Sequence, residues 1–192
     1  MFSFLKKKEP QYIVVNLNAR LQPMHRGELY EEALEKLLRE NKLGEVSGGG
    51  TLQSQSGEIE SCDIEIEVKN SNSSTIEQIR LSLEKIGTPK GSKIVVEKTE
   101  EEIPIGELEG LAIYLNGTDL PDKIYEESDS NFVYNELDRL TEGHGSVASY
   151  WQGQSETAFY LYGKSFETMD KLIQPIVASY PLCQKCRIER IA

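Results

Sequence analysis

The chain is short of the features that most readily declare a function. Of its 192 residues three are cysteine, two histidine and one tryptophan, and no stretch approaches the ~18–20 apolar residues of a membrane-spanning helix. An odd, small number of cysteines does not make a disulfide framework, so a reducing cytoplasm is the simplest location. Positive charge is also scarce: 21 Lys and Arg face 32 Asp and Glu, a net charge of −11. That balance argues against nucleic acid or an anionic membrane as partner, since both are held by clustered cations, and favours a protein with a basic surface. Acidity also serves solubility alone. The opening apolar run is too short for a signal peptide and its lysines follow the apolar residues, so residues 1–10 are expected to be a leader before the first strand.

What the chain does have is a repeat. Hydrophobic residues at 38%, with nine Tyr and five Phe, suffice for folded cores. Tyr12 to Leu17 is β-branched and strand-like. From Glu28 to Leu43, Leu29, Ala33, Leu34, Leu37 and Leu38 recur at helical spacing, and Gly44 is the expected C-terminal cap. Gly48-Gly49-Gly50 is followed by strand-like sequence and lacks the lysine of a phosphate-binding loop, so it predicts a bulged or closely approached strand. Cys62 to Val68 alternates strictly, with Asp63, Glu65 and Glu67 on one face about 6.8 Å apart. A capped helix runs from the Ser73–Thr75 region to Gly87, and Lys93 to Glu97 closes the unit.

The second half repeats this order. Leu111 to Asn116 matches Ile13 to Asn18 at an offset of 98 residues, the offset that also relates Pro121 to Pro23. A helix is expected over Ser130–Thr141, a hairpin from Val147–Gln152 and Thr157–Tyr162, a helix from Ser165 or Glu167 with Pro175 inside it, and a closing strand Arg187–Ile191. Two tandem ferredoxin-like βαββαβ units follow: an α+β fold of antiparallel four-stranded sheets with helices on one face of each. The boundaries are a leader 1–10, a first repeat 11–98, a linker 99–108 and a second repeat 109–192. The two open faces could extend one eight-stranded sheet or pack together.

Candidate site residues fall on those faces. Asp63, Glu65 and Glu67 form a carboxylate row suited to a cation or basic surface, or else a solvated polar face. In the second copy Ala158, Tyr160 and Tyr162 stand where the first shows acids, and Tyr150, Trp151, Tyr160 and Tyr162 would make an aromatic binding patch or fill the seam between units. Cys183-Gln184-Lys185-Cys186 has the spacing of half a zinc site, a weak metal candidate lacking a second ligand pair. His25 and His144 lie at turns beside glycine with no Ser-His-Asp or Cys-His pattern around them. No catalytic residue, cofactor or metal is therefore assigned. Residues 100–138 hold twelve Asp or Glu against one Lys, a local excess suited to electrostatic docking.

The phrases Gly48-Gly-Gly-Thr51, Gly57-Glu58-Ile59 and Cys62-Asp63-Ile64-Glu65-Ile66, with Cys186-Arg-Ile-Glu-Arg-Ile191, resemble uncharacterised bacterial proteins of duplicated ferredoxin-like build. Some of these resemble immunity proteins of polymorphic toxin systems. The resemblance spans most of the chain, marks strands and turns, and implies fold more than function. The expected function is a non-catalytic acidic protein-binding module, immunity- or antitoxin-like, that neutralises a basic partner. The alternative is an enzyme or small-ligand-binding protein using the cleft between the repeats. Oligomeric state is not legible.

Overall fold

Residues 9–192 are described by a computed structural model, and the bulk of the expected leader lies outside them. Strand β1 (Gln11–Leu17) leads into a continuous helical segment: α1 (Pro23–Arg26), a π-helical turn (Gly27–Glu31) and α2 (Glu32–Glu40). The helix thus starts five residues before Glu28, because Pro23 suits a first helical position and Gly27 is accommodated inside. Its end also differs from expectation. Lys42 takes the left-handed conformation at φ 55°, while Gly44 opens β2 (Gly44–Gln53). Gly44 is required there for a different reason, since a Cβ would overlap the carbonyl oxygen of Glu67 on the neighbouring strand.

Strand β3 (Ile59–Val68), helix α3 (Ser73–Ile86) and β4 (Ser92–Val96) complete the first unit. Asn72 caps α3 by accepting from the Thr75 backbone N–H at 2.9 Å. A fifth strand, β5 (Glu101–Ile105), pairs antiparallel with β4 inside the segment expected as a plain connection. The sheet order is β2-β3-β1-β4-β5, the ferredoxin-like order with one strand added at its edge.

The second unit runs β6 (Glu109–Asn116), α4 (Asp122–Glu127), α5 (Ser130–Thr141), β7 (Gly145–Gln152), β8 (Glu156–Gly163), α6 (Phe166–Ser179) and β9 (Arg187–Arg190), in the sheet order β7-β8-β6-β9. Pro175 sits inside α6, and Ser165 caps that helix. The chain is therefore an α+β protein of two ferredoxin-like units, built on separate sheets of five and four strands.

The two copies share a device that the residue pattern does not advertise. Each second strand bulges at one position, at Ser47 between Val46 and Gly48, and at Ala148 between Val147 and Ser149. In both, a carboxylate on the preceding helix accepts the backbone N–H of the bulge valine: Glu35 from Val46 at 2.7 Å and Asp138 from Val147 at 3.1 Å. A bulge strands backbone donors, and here an acidic side chain one helix away supplies the missing acceptor.

One core lies between the first sheet and its helices, with Ile13, Val15, Leu17, Ile64 and Ile66 against Leu34, Leu38, Ile79 and Leu83. The equivalent core of the second unit joins Leu111, Ile113, Leu115 and Leu161 to Val133, Leu137, Met169 and Ile173. The other face of the second sheet, carrying Ala112, Tyr114, Ala158, Tyr160 and Tyr162, belongs to the first core rather than the second. The second sheet is thus covered on both faces, which is why β8 reads as a nearly continuous buried run.

Candidate functional site

The first sheet differs in one respect that matters: among the described residues its face opposite the helices carries no core residue. Strand register places that face in three rows. Glu45, Glu67, Tyr12 and Glu97 lie side by side, then Gly48, Glu65, Val14, Val95 and Glu102, then Gly50, Asp63, Asn16, Lys93 and Pro104. Directly paired residues share a face, and successive rows are about 7 Å apart. Tyr12, Val14 and Val95 belong to neither core and form a central partly exposed apolar strip. Six carboxylates of these rows surround it, and among the described residues the one amine within the rows is Lys93, which is bonded to Glu102 at 2.6 Å.

The glycine run makes room for this arrangement. Glu65 lies over Gly48, 3.4 Å from where a Cβ would project, and Asp63 lies over Gly50 in the same way. Gly49 faces the opposite side, against the guanidinium of Arg26. Arg26 is buried, donates from Nη1 to the Gly50 carbonyl at 2.6 Å and pairs with Glu31 at 2.6 Å, so it ties the glycine-rich strand to the π-helical turn.

Electrostatics on the face are those of crowded like charges. Glu45 sits directly opposite Glu67, a pairing that disfavours the free sheet. The Tyr12 hydroxyl is pushed above its ordinary pKa by partial desolvation and then by Glu67, Glu97 and Glu65. Arg39, Lys42 and Lys69 line a groove with Glu45 and Glu67 at one corner, leaving the middle and the β5 side acidic. The expected row Asp63, Glu65 and Glu67 is therefore one column of a larger surface.

The aromatic candidates do not make a single patch. Tyr160 and Tyr162 are buried in the seam where the second sheet meets the first unit, and Trp151 packs against the same core. Tyr150, one residue along β7, points to the other face of the sheet and is 40% exposed. At the seam Glu58 accepts from Tyr114 at 2.6 Å, from Tyr160 at 2.8 Å and from the Arg20 guanidinium. The Arg20 backbone N–H donates to Tyr162 at 2.8 Å. Burial and the Glu58 carboxylate hold the Tyr114 and Tyr160 hydroxyls in their neutral, donating form. A tight turn with Gly57 at φ 81° delivers Glu58, and Asn18, bonded to Lys90 and Ser92, sets the segment that carries Arg20.

Cys183 and Cys186 pack in the second core, where burial pushes the Cys183 thiol up to about 12 and raises Cys186 as well. Among the described residues no group of three or more His, Cys, Asp or Glu converges on a metal-sized site. His144 is exposed, whereas His25 lies in α1 and reaches Ser149 of the second unit at 2.9 Å. The seam residues Arg20, Glu58 and Tyr114 went unread in the sequence; they sit on different segments, and only the approach of the units brings them together.

No protein-family model and no curated protein matches the chain. Solved structures that it resembles include TiaS in complex with tRNA, AMPCPP and agmatine, at 11% identity over 86% of this chain and 56% of that one, TM-score 0.34. The chain thus spans just over half the length of that protein. They also include the regulatory subunit of aspartate kinase from Thermus thermophilus, at 11% identity over 86% and 92% with TM-score 0.27, and the first two RRM domains of yeast Pub1, at 11% over 94% and 99% with TM-score 0.27. At such identities and scores these likenesses bear on no function. The fold assignment rests on strand order.

Proposed function

We propose that the protein is a non-catalytic binding module whose acidic sheet face docks a basic segment of a partner protein, in the manner of an immunity protein neutralising a basic toxin. The observation that carries this reading is the contrast between the copies. The second sheet spends its outer face on the seam, while the first leaves three rows of carboxylates around Tyr12, Val14 and Val95. A Lys or Arg placed between Glu45, Glu65 and Glu67 relieves their mutual repulsion, and the apolar strip offers contact area to the aliphatic stem or to a neighbouring side chain. The net charge of −11 steers a cationic partner toward the molecule from beyond contact range.

The Glu58 carboxylate of the seam is taken up by Arg20, Tyr114 and Tyr160, which supports a structural role for it and a binding role over a chemical one for the protein. All three cysteines are free thiols and two are buried, which supports a cytoplasmic setting. Affinity capture from the native lysate tests the reading. A partner should be retained at low salt, released as salt shortens the Debye length from about 10 Å at 0.1 M, and lost in a Glu65→Gln/Glu67→Gln variant. A lysate that yields no partner at any ionic strength, or one whose binding ignores the variant, ends it.

A further inference from the structure

A second surface lies at the tip of the β7–β8 hairpin. There Tyr150, Gln152, Thr157 and Phe159 face the first turns of α5, and His25 reaches across from the first unit; together they enclose a cleft of about 560 Å³. That volume is in the range of small-molecule sites, roughly 300–1,000 Å³. Phe159 is 4% exposed and forms the floor, with Tyr134 edge-on to it at 5.9 Å between ring centroids. Tyr150 forms a wall, its ring 5.8 Å from that of His25.

Among the described residues the lining contains no Asp, Glu, Lys or Arg. Its polar atoms are nevertheless numerous and mostly unpaired. Among the described residues the Asn135 and Gln152 amides, the Tyr134 and Tyr150 hydroxyls and the Thr157 hydroxyl take no hydrogen-bond partner within the protein. His25 is oriented from behind. Ser149 is buried, accepts the Gln22 backbone N–H at 3.3 Å and shares a hydrogen bond of 2.9 Å with His25 Nδ1. That contact turns the ring so that Nε2 is left without a partner among the described residues.

We infer that this cleft is a binding site for an uncharged sugar. A carboxylate or phosphate would be desolvated here with no cation to meet it. A sugar ring offers vicinal hydroxyls that both donate and accept, matching amides that do the same, and C–H faces that suit the negative faces of Tyr150 and Tyr134. A flat heterocycle would use the aromatic walls but leave most of the amides and hydroxyls unmet.

Amide NMR titration of the full chain with glucose, galactose, N-acetylglucosamine and maltose tests the inference, with adenosine and a hexose phosphate alongside. At least one neutral sugar should give saturable shifts confined to His25, Ser130, Asn131, Tyr150 and Gln152. In an Asn135→Ala/Gln152→Ala variant that affinity should fall about tenfold or more. Both positions are exposed, so an otherwise unchanged spectrum confirms that the variant is folded. Shifts with no neutral sugar, shifts that survive the double substitution, or preference for adenosine or the hexose phosphate would each overturn the assignment. None of these outcomes bears on the acidic face.

Discussion

Replacing Glu58 by alanine removes the acceptor on which the seam converges, and its cost can be worked out from the contacts. Two tyrosine hydroxyls and the Arg20 guanidinium donate to Glu58, and a hydrogen bond to a charged group contributes about 1.5–3 kcal/mol. Tyr114 and Tyr160 are 1% and 0% exposed, so their hydroxyls have little access to water as a substitute. The Arg20 side chain retains 23% exposure, and water there replaces part of what the guanidinium loses. The net expectation is about 3–4 kcal/mol of destabilisation, a fall in Tm of roughly 10 °C for a chain of this size. Tyr160→Phe alone should cost about 1–2 kcal/mol. In the Glu58→Ala background the same change should cost nothing or stabilise, because it then deletes a hydroxyl with no acceptor. Urea unfolding of the four proteins measures the coupling. If the two substitutions add to within about 0.5 kcal/mol, the hydroxyl and carboxylate do not act together and the account of the seam fails.

Two further outcomes follow from the glycine strand and from Glu109. Gly44→Ala places a Cβ into the Glu67 carbonyl and should destabilise by about 2–3 kcal/mol, whereas Gly48→Ala meets only the movable Glu65 carboxylate at 3.4 Å and should change denaturation midpoints little. Lys90, the Phe166 backbone N–H and Arg190 hold Glu109 at about 2, down from 4.5. A depressed carboxylate pKa stabilises the fold above the unfolded value and loses that contribution as pH falls through the folded one. Stability curves of the wild type and Glu109→Gln should accordingly stand apart above pH 4.5 and converge toward pH 2; parallel curves across that range would refute the assignment.

The duplicated scaffold was legible because hydrophobic spacing is local: the alternation from Cys62 to Val68 and the offset of 98 residues between β1 and β6 locate paired strands without reference to anything distant. The Gly48–Gly50 run likewise read correctly as a bulged, closely approached strand. Gly44 misled, since glycine at a helix end and glycine under a neighbouring carbonyl look alike in one dimension, and Lys42 supplied the left-handed residue instead. The extra strand β5 was hidden in a charged segment because it lies at a sheet edge, where Glu101 and Glu102 can face water. The carboxylate column of β3 was visible, but the row partners Glu45, Tyr12 and Glu97 needed the register. Tyr160 and Tyr162 read as aromatic without revealing that they face Arg20 and Glu58 across 100 residues or more, since that depends on how one unit covers the other.

Whether the first sheet's open face receives a basic segment is decided by following backbone amide shifts while a lysine- and arginine-rich peptide with one central aromatic residue is added at two salt concentrations. Saturable shifts are expected at Tyr12, Val14, Glu65, Glu67 and Val95, with affinity that weakens steeply as salt rises and vanishes in Glu65→Lys/Glu67→Lys. Shifts scattered over the acidic surface, or centred on residues 119–138 with the sheet face silent, would contradict it.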